Sequence, residues 1–285
     1  VLAPFRRTRT LTPALRVLSL GGGTQSTVMA LLADSGDFGA KPDFAVFADT
    51  GWEPDAVYRN VTWLTEQLSY PVFTVRANGR SLRDDVIAGV NVRGRPWTTI
   101  PVFLATSDGQ PAGMNWRQCT SDYKIAPIQR EVRRQLGLAR RSPVPLNTMI
   151  EMWLGITVDE ADRMRTSPQE WIANQYPPVD AGISRSDCIS GFAAEYPNRL
   201  LPRSACIGCP YHSDEAWLAM RDNDPKAFAD AVEVDAALRS EGHNATNMFR
   251  HRAFLHRRRV PLPQAVALTK PGGHEGHWGN ECAGV

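Results

Sequence analysis

The chain has 285 residues, with 32 Lys and Arg against 30 Asp and Glu and a formal net charge of +2. That length suffices for one large α/β domain, or for such a domain with a smaller C-terminal region, and the near balance of charge excludes a chain that is basic over its whole surface. No apolar run approaches a membrane span and no charged-then-apolar leader opens the chain, so no membrane contact and a cytoplasmic location are the expectation. Five cysteines, an odd number, speak against a disulfide framework and for metal, cluster or redox chemistry in a reducing compartment.

Residues 1–14 carry Arg6, Arg7 and Arg9 without periodicity and read as an N-terminal arm. The apolar run from Arg16 to Leu20 predicts a buried strand, and a helix begins at Thr27-Val28-Met29. Between them lies Gly21-Gly22-Gly23-Thr24-Gln25-Ser26. A glycine loop between a strand and a helix N-terminus makes an anion site, because the backbone can approach a phosphate and the first helical N–H groups lack intrahelical partners. No Lys follows the last glycine, so the loop is not of the Walker A type. Asp43 to Ala48 predicts a second buried strand ending in Asp49-Thr50-Gly51-Trp52-Glu53; polar clusters at the carboxyl ends of parallel strands are where open α/β sheets place ligands. The helix after Trp52 shows Val57, Val61, Leu64 and Leu68 at helical period, and Pro71 to Val75 predicts a third strand. This βαβαβ rhythm predicts a doubly wound, mostly parallel sheet.

Residues 76–118 lose the rhythm to eight glycines and prolines and read as a lid or substrate loop. Trp97 and Trp116 within it suit either stacking on a base or packing of the loop. Cys119 follows, then Lys124 and a helix bearing Arg130, Arg133 and Arg134. Met149 to Ile156 predicts another strand, and Arg163 stands just beyond its end, as an anion clamp or as a partner of Asp159 or Glu160.

Cys206-Ile207-Gly208-Cys209-Pro210 is a C-x-x-C on a tight turn, which brings two sulfurs onto one metal or cluster. Zinc and an iron–sulfur cluster are both open at this point, although no second C-x-x-C or H-x-x-x-H completes a zinc ribbon. Helices are expected after Ser213 or Asp214 as N-cap and over Pro225 to Leu238. The run Arg250, Arg252, Arg257, Arg258 and Arg259 suits nucleic-acid phosphate or a solvated face. The expected division is 1–14 arm, 15–205 nucleotide-binding α/β domain and 206–285 helical region with a tail.

The glycine loop and the D-T-G strand end together resemble the adenine-nucleotide α-hydrolase superfamily, which contains the N-type ATP pyrophosphatases and the sulfonucleotide (PAPS and APS) reductases. The family loop reads S-G-G-x-D-S; Gly21 and Gln25 depart from it, while Asp49-Thr50-Gly51 keeps the second motif. The resemblance implies a PAPS reductase-type fold. It also implies a nucleotide site from Ser19, Gly21, Gly22, Gly23, Thr24, Gln25, Ser26, Asp49, Thr50, Gly51, Gly155 and Arg163. Asp49 would help place Mg²⁺ or the nucleotide. Cys119 with Lys124-Ile125-Ala126-Pro127-Ile128 looks like the cysteine-then-K-x-x-P element of APS reductases and puts Lys124 near nucleotide and cluster. APS reductases, some tRNA-thiolating enzymes and DNA-phosphorothioation sulfurtransferases pair this fold with a cluster, which implies a 4Fe–4S cluster on Cys119, Cys188, Cys206 and Cys209. The tail Gly276-His277-Trp278 and Glu281-Cys282 is similar to a shortened reductase tail and makes Cys282 a candidate mobile nucleophile.

Three functions follow as expectations. The first is ATP-dependent sulfur transfer to a DNA or tRNA acceptor, with a cysteine desulfurase as sulfur source. The second is reduction of APS or PAPS through Cys282, with a thiol reductant. The third is a non-catalytic nucleotide-binding component of a modification or defence complex.

Overall fold

The computed structural model describes residues 12–243 and 250–269. In chain order the elements are β1 (Leu15–Leu20), α1 (Thr24–Ser35), β2 (Phe44–Asp49), α2 (Asp55–Gln67), β3 (Val72–Arg76), α3 (Leu82–Ile87), β4 (Phe103–Ala105) and β5 (Pro111–Met114). They continue with α4 (Ala126–Gln135), β6 (Ile150–Leu154), β7 (Ile172–Gln175), α5 (Pro177–Asp180), α6 (Arg185–Glu195), α7 (Asp214–Asn223), α8 (Pro225–Ala237), β8 (Arg252–Phe254) and α9 (Leu262–Ala267). Five strands form a parallel sheet in the order β3-β2-β1-β6-β7. Chain direction across the sheet reverses at β1, so a crevice opens there beyond the carboxyl ends, where such sheets bind ligands.

Both faces of the sheet are covered, which is why β2 is buried throughout and reads as an unbroken apolar run. Leu18, Leu20, Ala45 and Phe47 point to one face and pack against Met29 of α1 and Val57, Val61 and Leu64 of α2. Val17, Val46, Ile150 and Met152 point to the other, against Ile128 and Val132 of α4. The sheet is therefore doubly wound, as the alternation of apolar runs predicts.

A second core lies beside the sheet. Leu82, Val86, Ile100, Val102 and Tyr123 meet Cys206, Cys209, Trp217, Leu238, Leu255 and Leu262 there. The stretch expected as a lid or substrate loop contributes Ala77, Leu82, Val86, Val92, Ile100, Val102 and Leu104 to this core, and the region from 206 onward shares it. A small antiparallel sheet, β5-β4-β8, ties the two parts together. Buried Asp235 of α8 accepts from the backbone N–H groups of Leu255 and Leu262, each at 2.9 Å, and so pins the C-terminal segment onto the helix. Helix starts follow local chemistry: Ser184 and Asp187 form a capping box on α6, and Ser213 caps α7. Among the described residues no helix is long and apolar enough to cross a membrane.

Candidate functional site

The glycine loop runs from the end of β1 into α1, whose N-cap is Gly23 with no side chain capping the first turn. The N–H groups there face outward with the positive end of the helix dipole. Buried Asn60 of α2 donates to the Gly22 carbonyl at 3.1 Å and to Thr27 Oγ1 at 2.7 Å, which holds the loop against the helix. Gly23 is required by close approach: a Cβ there would lie 2.5 Å from the Cβ of Ser204. Ser204 Oγ donates to the Gly21 carbonyl, and Thr24 Oγ1 donates to the Pro202 carbonyl at 3.5 Å. The strap that leads into the cysteine turn is thereby seated on the loop. Gly155, just past β6, backs onto Ser26 on the other side.

Gln25 is the hub of a polar network at the same helix end. Its amide donates to Glu160 at 3.1 Å and its carbonyl oxygen accepts from Arg185 at 3.0 Å. Arg163 pairs with Glu160 at 2.7 Å. Two guanidinium groups are thus held at the mouth of α1, one of them, Arg185, not foreseen from the sequence. Ser19 lines a cavity of about 150 Å³ with Ile128, Met152, Leu154, Pro168 and Asn174, beneath the carboxyl ends of β1, β6 and β7.

Asp49 is hydrogen-bonded through both carboxylate oxygens. Oδ1 accepts from the Gly51 N–H at 2.7 Å and from the Tyr58 hydroxyl at 2.8 Å, while Arg76 clamps Oδ2. Burial, then the bond to Asp49, pushes the Tyr58 hydroxyl well above the ordinary tyrosine range. The carboxylate is a knot that shapes the D-T-G turn.

The cysteine turn is built on the residues after that knot. Ile207 N–H donates to the Trp52 carbonyl at 2.9 Å, Cys209 N–H to the Cys206 carbonyl at 3.0 Å, and Gly208 packs closely against the benzo part of the Trp52 indole. Cys206 and Cys209 are buried, and Cys119 packs against the same core. Cys119 begins a π-helical turn, Thr120–Ile125, that widens the entry to α4 and brings Lys124 inward. Lys124 Nζ stands 3.3 Å from Glu53 Oε1, with side chains only 6% and 0% exposed. Thr50 Oγ1 donates to the same oxygen at 3.0 Å, and the Cys206 thiol approaches it at 3.5 Å. Glu53 Oε2 is buried with no hydrogen-bond partner among the described residues. His212 Nε2 lies 3.0 Å from the Cys206 carbonyl; burial, then the Arg203 charge, pulls its imidazole down from 6.5 to about 4.

Cys188 does not join this group. It is buried on α6 against Val28 and Phe192, in a separate apolar cluster, and burial pushes its thiol up to about 11. The four-cysteine set expected from the sequence is therefore split, because the helical period of α6 turns Cys188 toward α1. Among the described residues no three His, Cys, Asp or Glu side chains are drawn together tightly enough to hold a metal ion. Cys282 and Gly276-His277-Trp278 lie outside the described residues.

Three arginines of the C-terminal basic run have structural partners. Arg257 and Arg258 donate to buried Asp214 at 3.2 and 2.9 Å, and Arg259 donates to the Leu104 carbonyl at 3.0 Å. These three tie the segment to α7 and β4, while Arg250 and Arg252 of the same run are exposed. Of the two loop tryptophans, Trp116 is open to solvent and Trp97 is just over one-third exposed.

Glu53, Asn60, Ser204 and Arg185 are the site residues that sequence reading missed. Glu53 alone carried a signal, as the acid that closes the D-T-G-W-E cluster.

No family model and no curated protein matches the sequence. Among solved structures, the chain is similar to phosphoadenylyl-sulfate (PAPS) reductase from Candida auris in a phosphate complex. That match has 12% identity and a TM-score of 0.41 over 69% of this chain and 78% of the other. It is also similar to the U34-tRNA thiolase NcsA from Methanococcus maripaludis with its 4Fe–4S cluster, at 12% identity and a TM-score of 0.37, over 79% of this chain and 73% of that one.

Proposed function

We propose that the chain is an adenine-nucleotide-dependent, sulfur-handling enzyme that uses ATP to activate an oxygen of a nucleic-acid acceptor, DNA or tRNA, for replacement by sulfur. The observation that carries this reading is the seating of Ser204 on Gly23, two residues before Cys206. It joins a phosphate-type loop and a buried cysteine pair in one site. The helix end of α1 and the guanidinium groups of Arg163 and Arg185 would take the phosphates, and the cavity at Ser19 would take a planar base. Lys124 would offset negative charge at the cysteine turn.

A 4Fe–4S cluster takes thiolate donors, and Cys119, Cys206 and Cys209 border one core. Such a cluster would hold and deliver sulfur when bound. In the proposed reaction the acceptor oxygen attacks the α-phosphorus of ATP, pyrophosphate leaves, and sulfide then displaces AMP.

A second reading, reduction of APS or PAPS through Cys282, is favoured by one observation: Gln25, an amide, stands where the family loop carries an Asp. An anaerobic comparison on iron-replete protein separates the two. Pyrophosphate release from ATP that survives Cys282→Ser supports sulfur transfer. Sulfite release from APS or PAPS that is abolished by Cys282→Ser overturns it.

A further inference from the structure

The small sheet β5-β4-β8 has one face that the core does not claim. Leu104 and Ala253 point into the core, so by strand alternation their neighbours Phe103, Arg252 and Phe254 share the opposite face. Met114 stands opposite Phe103 and extends the row. Guanidinium groups lie over it: Arg252 and Arg239 over the Phe254 ring at 5.7 and 4.7 Å, and Arg259 over Phe103 at 5.7 Å. Asp235 neutralises Arg239, whereas Arg259 donates to backbone carbonyls and keeps its charge. Arg252 is exposed, and the Phe254 ring is the described contact of its guanidinium. Asp108, in the β4–β5 turn, takes the Thr106 hydroxyl, so the face is positive with a single acid at one corner.

Two residues past β5 stands Trp116, 86% exposed. An indole so placed gives up the burial that ordinarily stabilises it, and its open faces suit a second flat ring. The next residue, Arg117, sets its guanidinium over the Tyr211 ring at 5.6 Å, and Tyr211 follows Cys209 by two residues. Trp116 precedes Cys119 by three residues, so their Cα atoms lie within about 11 Å of each other. Cations and flat rings thus run from Arg252 along the small sheet toward the cysteine turn. We propose, resting on the reading that the acceptor is a nucleic acid, that this strip binds it as an unpaired strand, with a base stacked on Trp116 and the phosphate backbone held at Arg252. Stacking on an exposed aromatic beside a cationic track is how single strands are held, and it is tolerant of sequence because every base has a π-face. A duplex keeps its bases within its own stack and offers Trp116 no face. The unpaired nucleotide is delivered beside Cys119 in this arrangement.

The test uses the full chain and four fluorescein-labelled probes: a DNA strand of about 12 nucleotides, the matching RNA strand, the DNA duplex and unfractionated tRNA. Anisotropy titrations at several salt concentrations read the affinities. A single strand or tRNA should bind more tightly than the duplex, and the better of DNA and RNA names the acceptor's sugar. Trp116→Ala should weaken that binding by about 5- to 100-fold, the usual loss for one stacked base, while Trp116→Phe keeps most of it. Arg252→Gln should lower the slope of log affinity against log salt by about 0.7, the share of one phosphate. A 5-iodouracil in the strand should cross-link on irradiation to the peptide that carries Trp116. Both side chains are exposed, and unchanged urea midpoints check that the variants keep the fold. Wild type that binds none of the probes overturns the nucleic-acid reading and the strip together. Wild type that prefers the duplex, or whose affinity for every probe ignores Trp116→Ala, overturns the strip alone and leaves the exposed indole to a protein partner.

Discussion

Replacing Gly208 by Ala probes how closely the cysteine turn is pinned to the segment after β2. The added Cβ would lie 2.0 Å from Cη2 and 2.4 Å from Cζ2 of Trp52, well inside van der Waals contact. The indole has nowhere cheap to go. It is buried, its Nε1 donates to Asp230 at 2.6 Å, and the backbone carbonyl of Trp52 accepts from the Ile207 N–H at 2.9 Å. Overpacking of this kind costs about 1–3 kcal/mol, and surrender of the Asp230 bond adds about 1 kcal/mol. At about 2–4 °C per kcal/mol for a chain of this size, the melting temperature should fall by roughly 4–16 °C. Trp52→Phe withdraws the benzo edge that the new methyl would strike, so the two substitutions should not be additive. The double variant should be more stable than the sum of the singles predicts, by about 1–3 kcal/mol. Urea midpoints of the four proteins at unchanged m measure this coupling. A Gly208→Ala protein with the wild-type midpoint, or strictly additive costs, would refute the close approach.

Asn60→Ala removes the bonds to Gly22 and Thr27; it should cost about 1–3 kcal/mol of stability and weaken ATP binding in equilibrium dialysis, whereas a distant surface Asn→Ala should do neither. Lys124→Met strands the buried Glu53 charge and should destabilise by about 3–5 kcal/mol, most of it recovered in the Lys124→Met, Glu53→Gln double variant; no recovery in a denaturation series would show that the pair is not coupled. His212 is held neutral, with its pKa lowered from 6.5 to about 4, while the unfolded chain binds the proton near 6.5. Its share of stability is therefore complete above about pH 6.5 and is lost as pH falls toward 4, by up to about 1.4 kcal/mol per pH unit. His212→Gln should flatten the fall in urea midpoint between pH 7 and pH 5, and an unchanged fall would place the acid sensitivity elsewhere. Cys188, with its thiol at about 11, should resist iodoacetamide in native protein at pH 8 and react on unfolding; rapid native labelling would contradict its burial.

Local chemistry written in consecutive residues determined the sheet and the loop. Short apolar runs bounded by turn residues fit strands of a covered parallel sheet, so β1, β2 and β6 were legible one by one, as was the edge strand β3. Three glycines between strand and helix implied a close backbone approach, and the C-x-x-C spacing implied two sulfurs on one turn. Short strands were not legible: Ile172–Gln175 and Arg252–Phe254 carry too little apolar pattern and become strands only because β6 and β4 offer them an edge. The core contribution of 76–118 was not legible for a related reason, since Ile100 and Val102 find their core on residues more than a hundred positions later.

Tertiary structure alone decided which polar groups share a site. Cys188 and Cys206 look equivalent as residue types, yet helix phase sends the first to α1 and the Trp52 turn holds the second beside Glu53. Asp49 has the motif position of a ligand, but Arg76 and Tyr58 consume its oxygens. Arg257 and Arg258 of the basic run are drawn to Asp214, a buried acid that must be neutralised wherever the chain can do so. Glu53 gained its importance from Lys124, Thr50 and Cys206 arriving at one carboxylate oxygen. Sequence spacing sets what a segment can form by itself; the burial of charge and the direction of side chains depend on partners that only the folded chain brings within reach.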